Sequence, residues 1–450
     1  MTPGVKSVYL HIGAPKTGTT YLQDVLFRNR AALADQGLLV PGGSASAHYE
    51  AALDLRALAF GGYRDPRAEG AWAELVEQVM EWRGRAAVIS HELLSGADDE
   101  AMARAIASFA DPAGGTEVHV IYTARDLGRQ VPAMWQESVK NGQELPFGTY
   151  LRRLSSRKRR GRAARIFWRQ QHLVEVLQRW SAHVPDERVH VVLVPAPGQP
   201  NDVLWRRFAS VLGVQTDGLD LAVERTNVSL GLAEAELLRR VNVVLDDDLS
   251  WPDYGPTVKF WFAEQVLAEL TSGPRAAVPG SMHRWLEQQA TQMTTALAES
   301  GWNVVGDLSD LHPVVTDETG AGQALDPPPA PSAAGHEPTG PSSASVVRTD
   351  EPVDSADSLD LRDLDESDES DDDAPLDAQL EPTDAEVLAV ATQALGVLLR
   401  ERARMLGKRG AGPRPPQTLP HRVLSGAARA RQLLRRRWVA MRTRDQSPGT

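Results

Sequence analysis

Cysteine is absent from the 450 residues, which excludes disulfides, thiolate nucleophiles, iron–sulfur clusters and cysteine-ligated zinc. Long apolar runs are missing as well. The longest helical one, Val387 to Leu399, is interrupted by Thr392 and Gln393 and falls well short of the roughly 20 residues needed to span a bilayer. The N-terminal text MTPGVKSVYLHIG has one lysine and then a short β-like run, without the apolar stretch and small-residue cleavage site of a secretory signal. A cytoplasmic protein is expected.

What is present is unevenly charged. The net charge of −12 is the total of −5 in residues 1–316, −17 in 317–383 and +10 in 384–450, so a near-neutral body carries an acidic segment and then a basic tail. The body alternates short β-rich runs with helix-patterned stretches. Candidate strands are 7–12, 38–40, 86–90, 117–123 and 189–194, several almost continuously apolar, as strands covered on both faces tend to be. Helical patterns fall at 20–36, 71–83, 101–109 and 170–183, and after Pro200 at 202–212, 232–245, 257–270 and 281–299. This alternation predicts an α/β fold, a parallel sheet wrapped by helices with a helical C-terminal half.

Three regions follow. Residues 1–316 read as the catalytic domain. Residues 317–382, rich in Pro, Ser and Asp without periodic apolar positions, cannot bury enough surface to offset ordering and read as a disordered linker. Residues 383–450 read as a helical, basic tail. A capping box, Thr383 with Glu386, opens its helix, and Leu388, Ala391, Leu395, Leu398 and Leu399 form an apolar stripe. The closing text RARQLLRRRWVAMRTR reads as a basic amphipathic segment for anionic lipid, nucleic acid or the acidic linker.

The sharpest chemical feature is GAPKTGTT, residues 13–20, between the first strand and a helix. A strand, a Gly-containing loop and a helix start present backbone N–H groups and a positive dipole end to a phosphate. The spacing matches G-x-x-x-x-G, yet Thr19 stands where a Walker A loop has lysine, and the loop's only lysine, Lys16, lies three positions earlier. A P-loop kinase of small molecules or nucleotides therefore starts with a defect, and a nucleic-acid-binding protein acting through the basic tail lacks any reader motif. The aromatics Trp135, Trp168, Trp251, Tyr254, Trp261 and Phe262 suit core packing or a sugar or lipid platform. The run LRRLSSRKRRGRAAR, residues 151–165, suits either a solvated basic face, a lid over the nucleotide or contact with an acidic acceptor.

The string HIGAPKTGTTYLQ resembles the 5′-phosphosulfate loop of sulfotransferases that use 3′-phosphoadenosine 5′-phosphosulfate (PAPS), in the bacterial branch with a P-loop-like fold. Residues 119–142, HVIYTARDLGRQVPAMWQESVKNG, resemble the segment that holds the 3′-phosphate in that family, with Arg125 at the strand end. An ordinary salt bridge is the other reading of that arginine. Segments 167–195 and 224–242 fit the same pattern more loosely, and the resemblance covers residues 5–312.

By that resemblance Pro15, Lys16, Thr17, Gly18, Thr19 and Thr20 bind the 5′-phosphate, with Lys16 also stabilising the leaving phosphate, and no metal is called for. The family serine eight residues after the arginine is Ala133 here, leaving Arg129, Gln136 or Ser138 to substitute. Arg225, Asn227 and Ser229 are candidates for a loop over the 3′-phosphate, although Asn227 and Ser229 equally suit a helix cap. The base is expected in AAVISHELLSG, where Glu92 and His91 follow a strand at the sheet's carboxyl edge. Adjacent strand residues point to opposite faces, so one of the two faces the acceptor; relatives with a similar text favour Glu92. His48, in a Gly/Ser/Ala loop, is a third possibility for the base but reads rather as surface, and His11 as core. The implied reaction is sulfuryl transfer from PAPS, leaving PAP, to a hydroxyl or amine of a carbohydrate, glycolipid or small molecule.

Overall fold

The computed structural model describes residues 6–313 and 380–409, apart from Gly61, 111–114, Arg160, Asn201, 223–228, Asp247 and Ser272, with side chains through Arg400. Its centre is a six-stranded, wholly parallel sheet in the order β2-β3-β1-β4-β5-β6, flanked by helices. The strands are β1 Lys6–Gly13, β2 Leu38–Leu39, β3 Ala86–Ser90, β4 Thr116–Ala124, β5 Val189–Leu193 and β6 Asn303–Val305. β3 and β5 are buried at every position and β1 through its last six residues, as the continuous apolar runs predict for strands covered on both faces. The expected α/β architecture is therefore present; β6 is an added edge strand, too short to carry a period of its own.

The chain visits β2 and β3 on one side of β1, then crosses to β4, β5 and β6 on the other. The carboxyl ends of β3, β1 and β4 therefore lie side by side at the switch in strand order, where open α/β sheets bind ligands. One face of the sheet is covered by the Thr19–Arg28 and Val203–Leu212 helices, whose Leu22, Leu26, Trp205 and Phe208 join Tyr9, Val88, Ile121 and Val192 in one core cluster.

Several helices differ from expectation for identifiable reasons. The 20–36 pattern is two helices, Thr19–Arg28 and Arg30–Asp35, broken at Asn29, whose side-chain amide donates to Val25 O and Asp220 O. The 170–183 pattern is likewise split at His172, whose ring accepts from the Glu175 N–H to cap the Leu173–Ser181 helix. Residues Gly255–Leu267 form a π-helix of 13 residues where an α-helix was expected; such helices are rare and occur mostly as single turns, often at functional sites.

His48 lies in an unforeseen helix, Ala45–Leu55, and is fully buried: its Nε2 is 3.0 Å from Pro41 O and its Nδ1 accepts from the Ser90 N–H. The surface reading of His48 is thus overturned. His11 is core, as expected.

The described residues divide into two compact units between Ala394 and Leu395. The first ends on the opening turns of the Asp384–Arg409 helix. The predicted capping box is formed, Thr383 N–H donating to Glu386 and Glu386 N–H to Thr383 Oγ1. The buried positions of those turns are Val387, Val390 and Ala394, while Leu388 of the expected stripe is exposed. Asp384 pairs with Arg240 at 2.8 Å. Among the described residues no helix is long and apolar enough to cross a membrane. Apart from residues 380–382, the acidic linker lies outside the described residues, and so does the closing basic segment.

Candidate active site

β1 ends in a register shift after His11, and Ala14 N–H bonds to Thr123 O, so the strand bends out into the glycine loop. Gly13 and Gly18 take φ of 95° and 86°, the left-handed region in which a side chain is strained. Lys16 adopts φ 64° between them. The loop is fastened from beneath. Thr17 is buried, its hydroxyl donating to Ala14 O and bonded to Thr123 Oγ1, and Gln130 and Gln171 both donate to Pro15 O. The Thr17 hydroxyl therefore holds the loop's shape and is not free for a ligand. Thr19 and Thr20 open the next helix, where the first N–H groups have no partner within the helix.

His91 and Glu92 follow β3, and the structure gives them different work. His91 Nδ1 accepts from the Leu93 N–H at 3.2 Å, capping a 3₁₀ turn over Glu92–Gly96, and its ring lies 5.4 Å from that of Tyr49. Burial lowers the His91 pKa, with the neighbouring Glu92 charge opposing. The Glu92 side chain lies directly over Gly13: a Cβ added there would stand 2.8 Å from both Cα and Cβ of Glu92. Its Oε2 is buried without a hydrogen-bond partner among the described residues. The Glu92 backbone and Cβ are thus packed against the first glycine of the loop, and its carboxylate charge is felt at Lys16.

Arg125 follows β4. One guanidinium nitrogen donates to Lys16 O at 3.2 Å, and its Nε is buried without a partner among the described residues. Burial, reinforced by Arg129, lowers its pKa to about 10 against the pull of Asp126. Arg125 lines a small, partly open cleft together with Ala14, Thr17, Gln130 and Gln171.

On the following helix, Leu127–Lys140, the expected substitutes for the missing serine are differently engaged. Arg129 is held by Asp126 and donates to Pro195 O, and Gln136 accepts from the Ser229 hydroxyl while donating to Leu230 O. Ser138 is half-buried one residue beyond Glu137. Ser229 is therefore docked on this helix through Gln136, three residues before the start of the Leu232–Leu245 helix. Arg225 and Asn227 lie outside the described residues.

Lys16 itself ends on a residue that the sequence did not single out. Its Nζ is 2.5 Å from Glu137 Oε2, and Lys259 of the π-helix is 2.8 Å from Glu137 Oε1. Burial would lower the Lys16 pKa, but Glu137 outweighs it, with Glu92 and Glu264 adding, so the ammonium is held protonated. Burial would likewise raise Glu137, yet Lys259, Lys16 and Lys140 hold it well below the usual carboxylate range. Glu137 stands inside the motif quoted for residues 119–142, yet it lies 121 positions from Lys16, so nothing local in the sequence marks the pairing. Nor is Lys259 marked, since only the fold brings it near a loop more than 200 positions earlier.

The basic run 151–165 is partly neutralised: Arg159 pairs with Glu175 at 2.6 Å and stacks on Trp168, while Arg157, Lys158 and Arg165 are exposed. Trp135, Trp168 and Tyr254 are buried core.

No family model matches the chain, and no curated protein does. Among solved structures it is similar to a sulfotransferase from Alicyclobacillus acidocaldarius, at 18% identity over 49% of this chain and 86% of that one, with a TM-score of 0.33. A likeness of that size carries no argument about activity.

Proposed function

We propose that the chain is a PAPS-dependent sulfotransferase, acting on a hydroxyl or amine of a carbohydrate, glycolipid or small-molecule acceptor. The observation that carries this reading is the juxtaposition of two groups at adjacent strand ends: a phosphate-type loop bearing its own lysine, and Glu92, whose backbone and Cβ pack on the first glycine of that loop and whose charge reaches Lys16. The residues suit the donor. The helix-start amides of Thr17 to Thr20 and the hydroxyls of Thr19 and Thr20 suit its 5′-phosphate. The orphaned Nε of Arg125 suits a further phosphate, with Ser138, Ser229 and the loop of Arg225 and Asn227 as its other candidate partners.

PAPS supplies a transferable sulfuryl group on a phosphate leaving group. The chain's part is electrostatic and positional. Lys16, kept protonated, offsets charge developing on the departing phosphate oxygen. Glu92 takes the acceptor's proton on its unpartnered Oε2. His91 is the weaker candidate for base, because its unprotonated nitrogen is already committed to the Leu93 N–H; it serves to hold the turn that presents Glu92.

Calorimetry on the full chain tests the reading. PAP is expected to bind without Mg²⁺ and more tightly than ATP. Mg²⁺-dependent ATP binding with no PAP binding would overturn it in favour of a P-loop kinase.

A further inference from the structure

Three lysines from three elements converge on one carboxylate beside the glycine loop. Lys16 comes from the loop, Lys140 from the Leu127–Lys140 helix, which also supplies Glu137, and Lys259 from the π-helix. Glu137 gives one oxygen to each of two partners: Oε2 to Lys16 at 2.5 Å and Oε1 to Lys259 at 2.8 Å. Lys259 also donates to Asn141 Oδ1 at 2.8 Å, and Asn141 Nδ2 donates to Glu137 Oε1 at 3.4 Å. Lys140 pairs with Glu264, one π-helix turn beyond Lys259. One N–H of the loop's only cation is therefore engaged by an internal anion, which competes with a phosphate oxygen for that donor and for the ammonium charge.

Separating Lys16 from Glu137 would ordinarily strand a half-buried carboxylate, which is costly. Here it would not, because Glu137 keeps Lys259 and the Asn141 amide on its other oxygen. Building on the sulfotransferase reading, we propose that Glu137 is a resident counter-anion which the incoming nucleotide displaces from Lys16, and that Lys259 is the positioning residue that retains Glu137 once Lys16 has moved to the ligand. Glu137 thus competes with the nucleotide, and Lys259 weakens that competition without touching the nucleotide itself. The π-helix, an irregular element far along the chain, sets the nucleotide affinity of the first loop.

The consequences carry opposite signs, which a merely structural ion cluster would not produce. Removing the competitor in Glu137→Gln should tighten PAP binding by about tenfold, the weight of one charge-assisted hydrogen bond. Lys259→Met leaves Glu137 with Lys16 as its one directly bonded cation, beside the neutral Asn141 amide, and should weaken PAP binding by a similar factor, with Lys259→Arg restoring it. In the Glu137→Gln background the Lys259→Met change should have no further effect.

Calorimetric titration of PAP without Mg²⁺ into the full-length wild type and these four variants reads all of this, with thermal melts reporting folding. Absence of PAP binding by the wild type would remove the sulfotransferase reading on which the inference stands. Binding by the wild type together with unchanged or weaker binding by Glu137→Gln would overturn the inference alone. So would a Lys259→Met loss that persists in the double variant, since Lys259 would then act directly on the nucleotide. If Glu137→Gln does not fold, the single-lysine pair decides: Lys259→Met binding PAP as well as Lys259→Arg refutes the proposal.

Discussion

Two neighbouring side chains, His91 and Glu92, have equal claims as a base on paper and unequal ones in space. Alternation along a strand would put them on opposite faces, whereas both follow β3, and the difference is set by the 3₁₀ turn that His91 caps. Capping commits the ring's acceptor nitrogen, while Glu92, packed against Gly13 through its backbone and Cβ, is left with a buried carboxylate oxygen that has no partner among the described residues. Glu92→Gln keeps the shape and removes the basicity, so it should retain PAP affinity and lose turnover by about 10²–10⁴-fold, the range of a general base. Lys16→Ala should instead weaken both nucleotide binding and turnover, since one cation serves both. Steady-state kinetics beside PAP titration separates the two cases, and wild-type turnover in Glu92→Gln would refute its assignment as base.

At the scale of elements, what was legible was whatever a local pattern encodes. β3 is found residue for residue, as is the Leu232–Leu245 helix, because apolar runs and helical periods are written in adjacent residues. The breaks were not legible. Asn29 ends a helix by bonding to Asp220, nearly 200 residues away, and the π-helix interrupts a period that reads as an ordinary helix. The Ala45–Leu55 helix was hidden by its Gly- and Ser-rich start. The glycine loop stands between these cases: its sequence announces an anion site, but only the fold reveals that Gly13 has no room for a side chain. Gly13→Ala combines φ 95° with a 2.8 Å approach to the Glu92 backbone. It should cost about 1–3 kcal/mol of stability and push Glu92 away from the loop. A lowered urea midpoint together with reduced turnover is expected; a variant as stable as the wild type would show that the loop does not press on Glu92.

Across the whole molecule, the net charge of −12 says little about how the body responds to acid, because histidines enclosed in the core dominate that response. His11 lies between Ser90 and Thr123 with its pKa lowered to about 3 by burial, reinforced by His91. His48 is lowered to about 4, chiefly by burial, and His190, also buried and bonded to His119, to about 4. In the unfolded chain these rings take up protons near pH 6.5, whereas in the folded protein they stay neutral until pH 4 or below. Between those values the unfolded state holds more protons, so stability falls as pH falls through that window and is flat in these groups above it. For His48 the shift corresponds to roughly 3 kcal/mol, at 1.36 kcal/mol per unit. Urea midpoints measured from pH 7.5 down to 4.5 should therefore decline steeply below about 6.5, before most carboxylates titrate. His48→Gln, which cannot charge, should start less stable at pH 7.5 through the altered contacts to Pro41 and Ser90 and show a shallower decline. A midpoint that holds constant from pH 7 to 5 would mean that these rings are not held neutral, and with that the buried placement of His11 and His48 would fall.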